Sequence, residues 1–137
     1  MIRRPTPREI AYRWHSEAIR GVFGDDVEYL GEEPQCGWFK RRLVRHGPFV
    51  SARIWLDQCI DPETGELVAD EAMLCEVDGQ WADAEVQWQS LCGNPISEAE
   101  YNYLMARRDY ATAWAPHEPA ANPRQPINWL RVPVPKF

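Results

Sequence analysis

Two neighbouring stretches, Trp38–Val44 and Phe49–Leu56, are runs rich in the aromatic and aliphatic residues that favour strands. The connection Arg45-His46-Gly47-Pro48 supplies turn residues, so the pair reads as a β-hairpin. Pairing Val44 with Phe49 sets Leu43 against Val50, Phe39 against Ile54 and Ala52 against Arg41 on the core side. The other face then carries Trp38 against Trp55 and Lys40 against Arg53, with Arg42 alongside. Like charges directly across a strand pair repel, so this face requires an anion.

The remaining patterns place helices and strands around the hairpin. Thr6-Pro7-Arg8-Glu9 is a capping box with Pro at the first helical position, predicting a helix to about Arg20 with Gly21 as its stop. Ile10, Ala11, Trp14, Ala18 and Val22 form its apolar stripe; Trp14 reads as a core anchor and His15, at the stripe's edge, as a partly buried structural histidine. Val27–Leu30 is a short edge-strand candidate inside an acidic, turn-rich segment. Ile60–Leu67 holds Pro and Gly where a five-residue hairpin connection needs them, which turns the chain back through Glu66–Ala69. Ala72–Val77 alternates as a strand and stops at Asp78-Gly79; Trp81–Cys92 spaces Trp81, Ala84, Trp88 and Leu91 as a short helix.

Ser97 and Glu100 make a second capping box, with Ile96 and Tyr101 as hydrophobic staple, and predict a helix to about Trp114. Tyr101, Leu104, Met105, Ala111 and Ala115 share one face, while Tyr103, Tyr110 and Trp114 lie nearly opposite, so a second cover is expected, either the C-terminal tail or a partner. That tail is rich in proline and should run extended, with Pro126–Val132 packing back on the domain. The fold class is α+β: a small antiparallel sheet of three to five strands flanked by the N-terminal helix and the Ser97 helix, in a single domain 1–137 whose residues 116–137 form the tail.

At 137 residues and 45% hydrophobic content the chain is long enough to bury its own core. No apolar run approaches the ~20 residues of a membrane span, and MIRRPTPRE lacks the apolar core of a signal peptide, so a cytoplasmic protein with no membrane partner is expected. Cys36, Cys59, Cys75 and Cys92 form no C-x-x-C pair and read as reduced, mostly buried thiols. Neither they nor the histidines match a metal-ligand spacing, and Asp61–Glu66 lacks the spacing of a calcium loop, so no metal or cofactor is expected.

Charge changes the picture more than composition does. The net charge is -6, yet no Lys or Arg occurs from Ile54 to Glu100, whereas the hairpin concentrates Lys40, Arg41, Arg42, Arg45 and Arg53 without a carboxylate. The two blocks either neutralise each other across adjacent strands, with Glu76 and Asp78 supplying the anions, or present opposite fields to two partners. Catalytic signatures are missing: there is no nucleophile elbow, phosphate-binding loop, H-E-x-x-H or dinucleotide fingerprint, and a Cys36–His15 pair has no supporting pattern.

The segments GWFKRRLVRHGPFVSARIW and PISEAEYNYLMARRDYATAWAPHEPAANPRQPINW resemble, in the same order, parts of small uncharacterised accessory proteins of bacteriophages and prophages. The resemblance implies the cytoplasm of a host bacterium and carries no catalytic residues. Within that setting three binding functions are open. One is an anti-CRISPR-like inhibitor of a host defence nuclease, whose acidic face (Asp57, Asp61, Glu63, Glu66, Asp70, Glu71, Glu76 and Asp78) occupies the effector's nucleic-acid groove. Another is single-stranded nucleic-acid binding in phage DNA processing, with Lys40, Arg42 and Arg53 on phosphates and Trp38, Phe49 and Trp55 stacking on bases. The third is a virion or scaffold component assembling through Tyr103, Tyr110 and Trp114.

Overall fold

The computed structural model describes residues 3–22 and 33–127; Val27–Leu30 and the tail beyond Ile127 lie outside the described residues. The chain is α+β. A four-stranded antiparallel sheet has the order β1-β2-β3-β4, with β1 Gly37–Arg42, β2 Phe49–Asp57, β3 Ala72–Val77 and β4 Gln80–Ala82. Helices α1 (Arg8–Ala11) and α2 (Arg13–Ile19) precede it, and α3 (Ala84–Leu91) and α4 (Glu98–Trp114) follow.

Alternation decides the faces. Phe39, Val50, Ala52, Ile54, Cys75 and Val77 point to one side of the sheet and are buried with Ala84, Trp88, Leu91 and Cys92 of the α3 region, while Trp14 packs against them. Trp88 meets Trp14 and Phe39 edge-on, with centroids 5.1 and 5.6 Å away, the favoured geometry for opposed ring quadrupoles.

The hairpin register differs from the expected one. Arg42, not Val44, pairs with Phe49, so Phe39 faces Ala52, Arg41 faces Val50 and Trp38 faces Arg53. A two-residue shift leaves each side chain on its own face, which is why the core side is the expected one although its partners are not. The repulsive Lys40–Arg53 pair is thereby avoided, since Lys40 opposes Ser51. The longer connection has its own chemistry: His46 takes the left-handed backbone (φ 62°), and Gly47 is needed for close approach, because a Cβ there would meet Val44 Cγ2 at 2.9 Å and the Pro123 carbonyl at 3.2 Å.

Two further elements depart from the pattern. Asp78 and Gly79 both have positive φ (54° and 76°) and make a two-residue turn of the mirror-image type that matches strand twist. Trp81 therefore sits on β4 opposite Glu76 rather than in a helix, and the helix starts only after Asp83, whose carboxylate accepts from the Glu85 and Val86 amides. The Ile60–Leu67 connection closes with Gly65 at φ 72° as a single bridge, made by the Asp61-to-Glu66 and Val68-to-Cys59 backbone bonds, and the chain does not run on as a strand through Ala69; the Leu67 amide bonds the Arg3 carbonyl on its outer side.

At the N-terminus the capping box does not form. Thr6 gives its hydroxyl and amide to the Glu71 carboxylate (2.8 and 3.2 Å), a tertiary partner that outcompetes the local one. The expected single helix breaks at Tyr12 into α1 and α2; Ile10 and Val22 are exposed, Ala11, Trp14 and Ala18 are half-buried, and His15 is the one buried residue of the two helices. The Gly21 stop is as expected: its amide bonds the Ala18 carbonyl and the Val22 amide that of Glu17, with Gly21 at φ 76°.

His15 ties this helix to the sheet edge. Its Nε2 lies 2.7 Å from the Ile96 carbonyl and 3.1 Å from that of Trp38, so a single N–H serves both acceptors. Burial pushes its pKa down despite those acceptors, which keeps the ring neutral. Residues 94–96 then run along the outer edge of β1, where Lys40 donates to Asn94 and Ile96 to Trp38, and carry the chain from one face of the sheet to the other. Ser97 Oγ caps α4 by accepting from the Glu100 amide, as its sequence predicts.

Helix α4 crosses the second face of the sheet. Glu100 meets Lys40 of β1, Met105 Sδ meets the buried Ser51 hydroxyl of β2, and Arg108 meets Asp78 just beyond β3. Past α4 the chain as far as Ile127 is not extended: Pro119–Ala121 form a 3-10 turn, Asn122 Nδ2 donates to the Pro116 and Glu118 carbonyls, and the Ile127 amide reaches the His46 carbonyl (2.9 Å). Among the described residues no helix is long and apolar enough to cross a membrane.

Candidate functional site

The six residues expected to form one basic, aromatic strand face are divided by α4 into two groups, and most of their charge is already matched. Arg53 lies across from Glu76 and donates to both its carboxylate oxygens (3.2 and 3.3 Å), with its guanidinium 4.1 Å above the Trp55 ring. Trp55 approaches Trp81 (5.8 Å), and Trp38 stacks on Tyr12 (5.2 Å) under the Arg8 guanidinium. Lys40 pairs with Glu100 at 3.4 Å. Of these six, Arg42 and Phe49 remain exposed, at the hairpin end.

The eight carboxylates of the expected acidic face divide similarly. Asp70 pairs with Arg3, Glu76 with Arg53 and Asp78 with Arg108, while Glu71 accepts from Gln58 and Thr6, donors that hold its carboxyl below the ordinary range. Burial raises the Asp78 pKa against the pull of Arg108. Asp57, Asp61, Glu63 and Glu66 stay without an ion pair among the described residues. Asp61, Glu63 and Glu66 sit on the connection held by the Asp61-to-Glu66 and Gly65-to-Asp61 backbone bonds, and Asp57 ends β2 just before it. This loop leaves β2 at the end opposite the hairpin turn, about 30 Å away along a nine-residue strand. Opposite charges thus occupy opposite ends of the sheet.

Between the hairpin turn, α4 and the tail lies a groove of about 460 Å³. Its walls are apolar (Phe49, Val50, Leu104, Pro119 and Ile127) and its charged groups include Lys40, Arg42, Arg107 and Arg108. Phe49 holds two of these by its ring face, with Arg42 4.3 Å and Lys40 4.8 Å from its centroid. From the mouth of the groove an exposed stripe continues along α4: Tyr103, Arg107, Tyr110 and Trp114 recur at helical spacing, and the three aromatics are 63%, 66% and 78% exposed. The expected second cover of this helix is not provided by the described tail.

Arg107 is the groove residue that strand and helix patterns alone did not single out. Its position four residues after Tyr103 and seven before Trp114 put it in the aromatic stripe, and that spacing was the available signal. Nucleophilic chemistry finds no activated group at Cys36, whose thiol burial raises to about 11 while His15 is pushed the other way, the reverse of a thiolate–imidazolium pair. The thiols of Cys36, Cys75 and Cys92 are buried and that of Cys59 is exposed. Among the described residues no group of three or more His, Cys, Asp or Glu side chains is arranged to hold a metal ion. No protein-family model, curated protein or solved structure matches this chain.

Proposed function

We propose that the protein is a non-enzymatic phage accessory protein that works by binding a host protein, in the manner of an inhibitor of a defence nuclease. The observation that carries this reading is the uncovered Tyr103–Arg107–Tyr110–Trp114 stripe on α4. Tyr, Trp and Arg are the residues that dominate binding energy at protein interfaces, because rigid rings bury large areas at small entropic cost. A row of them left in water on a well-capped helix is an anchor awaiting a partner. The unpaired carboxylates Asp57, Asp61, Glu63 and Glu66 supply a second, acidic contact suited to a basic nucleic-acid groove and accelerate encounter at low salt.

The reading is tested by placing a photo-crosslinking amino acid at Tyr110 in cells carrying an active defence system, with Thr64 as a second site. A discrete adduct at Tyr110 that disappears with Trp114→Ala, and whose captured protein loses DNA cleavage when the purified chain is added, supports it. No adduct at Tyr110 refutes the anchor. Capture without any effect on cleavage leaves a binder and refutes the inhibitor.

A further inference from the structure

The groove at the hairpin end is not explained by the stripe, and its chemistry is specific. Four cations line it, but two are matched: Lys40 by Glu100 at 3.4 Å and Arg108 by Asp78 at 2.9 Å. Arg42 and Arg107 have no carboxylate partner among the described residues. Phe49 orients the Arg42 guanidinium through its ring quadrupole at 4.3 Å, which fixes the group without consuming its N–H donors. One wall carboxylate, Glu118, is likewise without an ion pair. A ligand complementary to this arrangement has an anionic oxygen cluster for two guanidinium forks, a hydroxyl or amine donor for Glu118, and a flat apolar body for the Phe49, Leu104, Pro119 and Ile127 wall.

We infer that the groove is a binding site for a nucleoside phosphate. The phosphate is taken by Arg42 and Arg107, a ribose hydroxyl or exocyclic amine is accepted by Glu118, and the base lies on the apolar wall. A cavity of about 460 Å³ falls within the size range of small-ligand sites. A bare inorganic anion leaves Glu118 and the wall unmatched. The nucleotide is either free or one unit of a single strand; the net charge of -6 disfavours a long polyanion tracking the whole surface. Tyr103 and Arg107 belong to both the groove and the protein-binding stripe, whereas Tyr110 and Trp114 do not line the groove, so the two proposals are separable at those two residues.

Calorimetric titration of the intact chain at low salt decides it, using the four ribonucleoside 5′-monophosphates, a ten-residue oligothymidylate and inorganic phosphate as separate probes. The expected result is saturable binding of at least one nucleotide. Arg42→Ala and Arg107→Ala should each weaken it roughly tenfold or more, the loss of one charge-assisted hydrogen bond. Both side chains are exposed and Arg42 loses only its contact with the Phe49 ring, so melting temperatures should stay within about 2 °C of the parent and a folding defect is not confused with a binding one. Tighter binding of the oligomer than of any monophosphate, with the same two dependences, assigns the nucleotide to a strand; the reverse assigns it to a free metabolite. Inorganic phosphate binding as tightly as the nucleotides, no heat with any probe, or binding that survives both substitutions overturns the inference.

Discussion

Reversing Arg53 tests whether the basic strand face is structural. Arg53 of β2 faces Glu76 of β3 across the sheet and donates to both carboxylate oxygens at 3.2 and 3.3 Å, and its guanidinium covers the Trp55 ring at 4.1 Å. The two side chains are 40% and 19% exposed, so water screens the pair and limits it to about 0.5–1 kcal/mol. The ring contact adds about 0.5 kcal/mol at this exposure. Arg53→Glu removes both and places carboxylates directly across a strand pair, a further cost of about 0.5 kcal/mol. The sum is about 1.5–2 kcal/mol, which for 137 residues lowers the melting temperature by roughly 5–7 °C. Urea and thermal unfolding measure it, and combining Arg53→Glu with Glu76→Arg should recover at least half of the loss by remaking the pair with its ends exchanged. A reversal that leaves the melting temperature within about 1 °C of the parent refutes the pairing and returns Arg53 to the residues available for a phosphate.

Three more outcomes follow from the same contacts. Ser97→Ala should cost about 1 kcal/mol in urea unfolding by removing the cap that accepts the Glu100 amide; a negligible loss refutes the cap's role. Gly37→Ala should be worse, because the new methyl group would sit 2.5 Å from His15 Cδ2 in a buried position; a cost of about 1–3 kcal/mol is expected, and wild-type stability would show that the His15 ring yields freely. His15 has its folded pKa lowered by burial, so its neutral form supports the fold fully above the unfolded value of 6.5 and that support is lost as pH falls below it. The NMR titration of its ring should have a midpoint below 6.5, and His15→Gln should flatten the fall in stability between pH 7 and 5.5; a midpoint at or above 6.5 contradicts the buried donor geometry.

Local periodicity and local caps were legible without the structure. The period-2 alternation assigned Phe39, Val50, Ala52 and Ile54 to the core face, and Ser97 with Glu100 marked the start of the long helix. These signals survive because they depend on residues two to five positions apart. Where a distant group competed, the local reading failed: Glu71 took Thr6 from its cap. Asp78-Gly79 is a different case, since its hairpin turn was written in the sequence and the apolar spacing from Trp81 onward concealed the strand behind it.

The sequence by itself determined the fold class, the buried face of each strand of the hairpin and the segregation of charge into a basic hairpin and an acidic block. Only the tertiary structure decided which of those charges remain available. Register is set by packing and turn length rather than by alternation, and here it separated Lys40 from Arg53 and set Arg53 against Glu76. The path of residues 94–96 around the β1 edge then laid α4 over the second face, where Glu100 and Arg108 matched Lys40 and Asp78. Pairing across a sheet and under a helix joins residues tens of positions apart, and no local pattern encodes that choice. What it left uncovered is Arg42 and Phe49 at the groove and the aromatic stripe of α4.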